Sequence, residues 1–220
     1  GTLANAAGGT VLGRGSITAN FSNAGALVVD AGTTRVSQAF NNSGQIQLSS
    51  NAATLVGGVL SNSGQIEGRG RVGNDVHNTG VLQALGGTLT FAGALTHTGN
   101  GVIAAGSGAK VLVLAGLARN EAQIQLDGGS FDNNGMPLQN AANGSISGFG
   151  TLRIGALVND GQILLASGPS AVHANLLANA GSQTILSGQG NTTFYGAVDV
   201  QRGAELRVSQ GAVATFFGPV

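Results

Sequence analysis

Cysteine is absent from this 220-residue chain, which excludes a disulfide framework or a thiolate metal site and leaves stability to packing and backbone pairing. Tryptophan is also missing, methionine occurs once and aromatics make up 4% of residues, so no conventional core of large side chains can be built. Charge is scarce: nine Lys and Arg residues balance nine Asp and Glu residues. That composition lacks the electrostatic footprint of a nucleic-acid binder or a polybasic membrane binder. The longest apolar runs, such as Val111 to Leu117, fall far short of the roughly 18 to 20 residues that a membrane helix requires, so no membrane insertion is expected. No basic-then-apolar leader opens the chain, and an exported form is therefore expected to be a mature or trimmed segment.

What the chain has in abundance is glycine, 39 residues against 3 prolines, within a composition that is 42% hydrophobic. The glycines punctuate a recurring phrase, Asn-x-Gly-x-apolar. It occurs at Asn23/Gly25, Asn42/Gly44, Asn62/Gly64, Asn78/Gly80, Asn159/Gly161 and Asn179/Gly181. Weaker copies stand at His97, where His replaces the Asn, at Asn120, and from Asn140 to Gly144. Successive copies from Asn23 are 19, 20, 16, 19, 23, 20, 19 and 20 residues apart. A period near twenty along most of a chain is the signature of a solenoid.

A second set of glycines, including Gly68/Gly70 and Gly148/Gly150, lies between these phrases, so each repeat contains at least two turns. Between turns the residues alternate, as in Gln45, Gln47 and Ser49 against Ile46 and Leu48. Period two means strands, and no segment sustains a period of 3.6. The expected fold is all-β: a single-stranded parallel β-helix, or β-solenoid, of about eleven coils of about twenty residues, forming one domain over 1–220 with a lateral loop at 127–139. Each coil cannot bury its apolar face alone but can do so against the next. Ile46, Ile66, Leu82, Ile103, Ile124, Ile146, Ile163 and Ile185 are expected to form one internal stack. The Asn side chains are expected to cap their turns, visit left-handed backbone and bond to the Asn one coil away; the following glycine would supply positive φ or close approach.

The stretch LSNSGQIEGRGRVGNDVHNTGVLQALGGTLTFAGAL resembles the haemagglutinin-type repeats and autotransporter passenger segments of bacterial surface adhesins. The resemblance implies a right-handed parallel β-helix, secretion to the bacterial cell surface and a role in adhesion or fibre formation. It would make the protein a non-enzymatic structural or adhesive solenoid. Its partner would then be itself, end to end or laterally, or a cell-surface glycan or protein.

Other chemistry finds little support. Gly68-Arg69-Gly70-Arg71-Val72-Gly73 fits the GxGxxG dinucleotide pattern, but that pattern needs a helix after it and here a strand and another turn follow. Polysaccharide-active enzymes also use β-helices and require clustered carboxylates. The nearest groupings are Asp127 with Asp132 and Asp75 with His77, which read as solvated turn and strand residues, so no catalytic residue is assigned. His77 and His97 are out of phase with one another, so no metal site is assigned, and nothing implies a cofactor. Asn-x-Ser/Thr triplets are expected by chance in so Asn-rich a chain, and the Thr88 and Thr96 runs do not recur coil after coil. Of Phe216 and Phe217, one should face inward and the other form an end contact, since no amphipathic helix is present to cap a terminal coil.

Overall fold

The computed structural model covers Gly1–Val220 and contains strands and turns but no helix. Its 24 strands pair only in parallel, each with the equivalent strand of the preceding and following coil, giving a β-solenoid of about 11 turns of about 20 residues. The strands stack in three ladders. The first, here the short sheet, contains Thr2–Asn5, Asn20–Asn23, Phe40–Asn42, Leu60–Asn62, Val76–Asn78, Leu95–His97, Arg119–Asn120 and Leu138–Asn140. It continues through the ends of Ser145–Asn159 and Ser170–Ala178 and finishes at Val198–Val200. The second begins just after each Asn turn, running Ala26↔Gln45↔Gln65↔Val81↔Val102↔Gln123↔Ser145↔Gln162↔Gln183↔Glu205. We call it the glutamine sheet. The third, the threonine sheet, includes Thr54↔Arg71↔Thr90↔Leu112↔Asp132↔Arg153↔His173.

Alternation along each strand sends one set of side chains inward, where 40 residues form a single continuous core. Branched aliphatics suit this narrow interior because they lose little rotamer freedom on burial. Ile46, Ile66, Leu82, Ile103, Ile124, Ile146 and Ile163 follow one another in register as one buried column. Ile185 does not belong to it. Thr184 pairs with Ile163, and Ile185 pairs with Leu164 on the opposite face. The turn before this strand, 179–182, is two residues longer than 160–161 after Asn159, an even difference that keeps Thr184 inward; Ile185 stands one residue past it, and with a period of two that single step puts it on the other face.

The turn phrase is out of register here as well. Asn159 pairs with Ala178, so Asn179 lies one residue beyond the inward position. Gly181 has φ +84°, whereas Gly25, Gly44, Gly64, Gly80 and Gly161 do not have positive φ. Those five glycines are required for close approach: a Cβ at Gly44 would run into the carbonyl of Gly25, and one at Gly64 into that of Gly44. The Asn residues before them are likewise not left-handed. The corner between the glutamine and threonine sheets differs, for Gly68 and Gly70 have φ +106° and +138°.

No lateral loop occupies 127–139. Gln123–Asp132 and Leu138–Asn140 form ordinary coil walls, joined by the short turn 133–137 that contains Pro137. Asn133 turns inward there, its side-chain Oδ1 accepting from the Leu117 N–H at 2.6 Å and its Nδ2 donating to the Leu117 carbonyl at 3.1 Å. The proline falls where no ladder hydrogen bond is needed, so it interrupts nothing.

Candidate functional site

Inside the short sheet runs a polar ladder. The amide nitrogen of Asn5 donates to the Oδ1 of Asn23, and the pattern repeats from Asn23 to Asn42, Asn42 to Asn62 and Asn62 to Asn78, each at 2.7 Å. It resumes from Asn120 to Asn140 and from Asn140 to Asn159 at 2.8 Å. These asparagines are buried, all but Asn5 fully so, and burial without partners would carry a cost of roughly 1–3 kcal/mol for each polar group. Most of these amides also serve the adjacent strand: Asn23 donates to the Gln45 carbonyl at 2.9 Å and Asn42 to that of Gln65 at 3.2 Å, whereas that of Asn78 turns to the Gly80 carbonyl at 3.0 Å. Ladder and sheet therefore brace one another along the axis.

His97 occupies the sixth place. Its Nδ1 lies 3.0 Å from the Asn78 amide nitrogen and its Nε2 lies 2.9 Å from the Gln123 carbonyl. The first contact requires an acceptor and the second a donor, which fixes a neutral ring protonated at Nε2. Burial holds the His97 pKa below its ordinary value, with the Gln123 hydrogen bond opposing in part. His77 pairs in register with Thr96 and stays on the outer surface, where its Nδ1 meets the Thr96 hydroxyl at 2.8 Å. The two rings therefore face opposite sides of the wall.

Outward residues define the molecule's available surfaces. On the glutamine sheet, Gln45 and Gln65 donate to the two oxygens of Glu67 at 2.7 and 2.6 Å, and Gln65 also donates to Gln83 at 3.2 Å. Gln47, Gln123 and Gln125 on this sheet are exposed. Around the corner near the Asn turns, Arg119 donates to Glu121 and Gln139, and Gln139 and Asn179 both donate to Asp160. Those last two bonds, Asn179 first and Gln139 second, hold the Asp160 carboxyl below the usual carboxylate range.

The threonine sheet carries a different set. Arg35, Arg71, Lys110 and Arg153 project from its outer face beside a single carboxylate, Asp132, which pairs with Lys110 at 3.7 Å. Arg35, Arg71 and Arg153 form no ion pair; the other two pairs are Arg119 with Glu121 and Arg207 with Glu205. Beyond Arg153 the column continues as rings: His173 stacks on Tyr195 at 4.3 Å and Tyr195 on Phe217 at 5.5 Å. Burial, then the charge of Arg153, lowers the His173 pKa. Phe216 faces inward and stacks on Phe194 at 5.2 Å, while Phe217 is 70% exposed.

The carboxylates named from the sequence are engaged separately. The Oδ1 of Asp75 accepts from the Ala94 N–H at 2.8 Å, and Asp132 is held by Lys110. No group of three or more His, Asp or Glu side chains is arranged to hold a metal ion. Gly68–Gly73 lies along a strand and its following turn, with no helix N-terminus to present amides to a phosphate. No helix is long and apolar enough to cross a membrane.

The fold defines a single-chain parallel β-solenoid with three sheet faces. No protein-family model, curated protein or solved structure matches the chain.

Proposed function

We propose that the chain is a non-enzymatic structural or adhesive rod, exported to the bacterial cell surface or matrix, that makes contact through its flanks. The observation carrying this reading is the set of amides on the outer face of the glutamine sheet, where Gln47, Gln123 and Gln125 are exposed and the carboxylate among them, Glu67, is already bonded by Gln45 and Gln65. Neutral amides on a flat strand face can bond to a second such face with little ion desolvation or repulsion. Lateral association of copies into bundles or fibres follows. Electron microscopy and light scattering over a concentration series test it. Bundles that grow with concentration are expected, as is their dispersal by the double substitution Gln47→Lys and Gln125→Lys. Single rods at every concentration would remove self-association. Attachment to a cell-surface glycan is the second reading, and what favours it is the distribution of charge on the threonine sheet.

A further inference from the structure

We propose that the outer face of the threonine sheet binds a linear acidic polysaccharide bearing one charge per disaccharide, laid along the solenoid axis. This rests on the attachment reading. The chain as a whole has no net charge, yet this face places four cations beside one carboxylate. Their placement is regular. Arg35 is on the strand Ala26–Val36, Arg71 on Gln65–Val72, Lys110 on Lys110–Val113 and Arg153 on Ser145–Asn159, with one threonine-sheet strand intervening between each and the next. Cations therefore recur every second coil, about 10 Å apart at the usual strand spacing. That step matches the length of an extended disaccharide.

Arg71 and Arg153 stand in the same outward column. Lys110 stands two residues to one side of it, because Thr88 is its partner where Thr90 is that of Arg71, and Arg35 stands two residues to the other, beyond the Thr33↔Thr54 pair. The long side chains can converge over that width on one strand of polymer. Hydroxyls accompany the charges: Thr90 pairs in register with Arg71, Thr88 with Lys110, and Thr151 lies on the strand of Arg153, with Thr193 two coils further on. A polar recess of about 300 Å³ beside Arg71 is lined by Asn51, Thr88 and Thr90. A larger groove of about 560 Å³ contains Phe149 and Pro169 together with Thr151 and Thr193, joining apolar surface for a sugar ring to donors for its hydroxyls. A nucleic acid fits poorly, because its strand carries a phosphate about every 3.4 Å in a duplex, far denser than these cations.

Hyaluronan, an unbranched polymer with a carboxylate on every second sugar, is the probe. Affinity electrophoresis of the full chain should show retention by hyaluronan that weakens with salt, and weaker retention by polygalacturonate, dextran and single-stranded DNA. Arg35→Gln, Arg71→Gln and Arg153→Gln should each weaken binding about three- to fivefold, and the triple variant about fiftyfold, with the dependence on salt becoming shallower as arginines are removed. Arg202→Gln, in a turn on another side, should leave binding unchanged, and all variants should retain the parent melting temperature. Light scattering on the same samples reports self-association separately, so loss of polymer binding with bundling intact identifies this face alone. Absence of hyaluronan binding, retention in the triple variant within twofold of the parent, or equal binding of dextran, polygalacturonate or DNA would overturn the proposal.

Discussion

His97 accepts a hydrogen bond at Nδ1 from the Asn78 amide at 3.0 Å, taking the place in the buried ladder that an Asn oxygen holds in neighbouring coils. A protonated ring would present N–H to N–H there, and no anion is at hand to favour it. The groups packed against it, Asn78, Gly101, Asn120 and Gln123, are uncharged, and His77, Arg119 and Glu121 lie on the outer face. The folded pKa of His97 is below the unfolded value of 6.5. The unfolded chain therefore takes up the proton first, and stability that is complete above about pH 6.5 declines as pH falls through that value. Melting curves from pH 8 to 5 should show the decline. His97→Asn should flatten most of it, since Asn140 fills the same place ahead of an equally long turn to Gly144. His173→Gln serves as the comparison, because that ring is also shifted downward.

Removing one rung from within the ladder should cost more than removing a surface hydrogen bond. Asn42→Ala would take from the Asn23 amide its shortest acceptor and leave both the Asn62 Oδ1 and the Gln65 carbonyl without that donor. At roughly 1–3 kcal/mol for a buried group left unpaired, a loss of about 3 kcal/mol or more is expected in urea unfolding. Asn42→Asp should cost at least as much, because a buried carboxylate would face the Asn62 oxygen. A loss below about 1 kcal/mol would mean that the ladder contributes little to the rod.

The period of the Asn phrase and the alternation between turns carry most of the architecture, and Ile46 through Ile163 could be placed in one column from spacing alone. Three features could not be read in this way. The step from Asn159 to Asn179 equals an ordinary repeat, yet the strand pairing slips by one, so identical phrases point to opposite sides. The tract 127–139 looks irregular because it contains Pro137 and two Asn-Gly-like turns, but its glycines and Asn133 satisfy ordinary corners. The cations of the threonine sheet are separated by 36, 39 and 43 residues, which conceals an even spacing because coil corners differ in length and the register shifts there. Spatial period and sequence period diverge wherever a corner absorbs residues.

Gly44→Ala tests the close stacking of turns. An added methyl at Gly44 would overlap the Gly25 carbonyl, while a methyl at Gly108 would meet nothing within 4 Å. Overpacking against backbone should destabilise the Gly44 variant by about 1–3 kcal/mol and speed amide exchange at Gln45, whose N–H bonds to the Gly25 carbonyl at 2.8 Å. Gly108→Ala should show only the cost of its positive φ, about 1–2 kcal/mol, with exchange at Gln45 unchanged.

Asn159 and Asn179 head the same three-residue phrase with Gly161 and Gly181, but only the first is part of the interior. Asn159 is fully buried, receives the Asn140 amide at 2.8 Å and donates to the Gln183 carbonyl at 3.1 Å. Asn179 is partly exposed and donates to Asp160 at 2.6 Å. Asn159→Ala should therefore cost about 2 kcal/mol or more, whereas Asn179→Ala should cost about 1 kcal/mol or less. The second change should also raise the Asp160 pKa toward that of a free carboxyl, because Asn179 is the chief cause of its lowering. Since a lowered carboxyl pKa stabilises the fold above the unfolded value of 3.8 and is lost as pH falls below it, Asn179→Ala should weaken the acid dependence near pH 4 without altering the one near pH 6.5. Equal losses for the two alanine variants in thermal unfolding would contradict the register in which Ala178, not Asn179, follows Asn159.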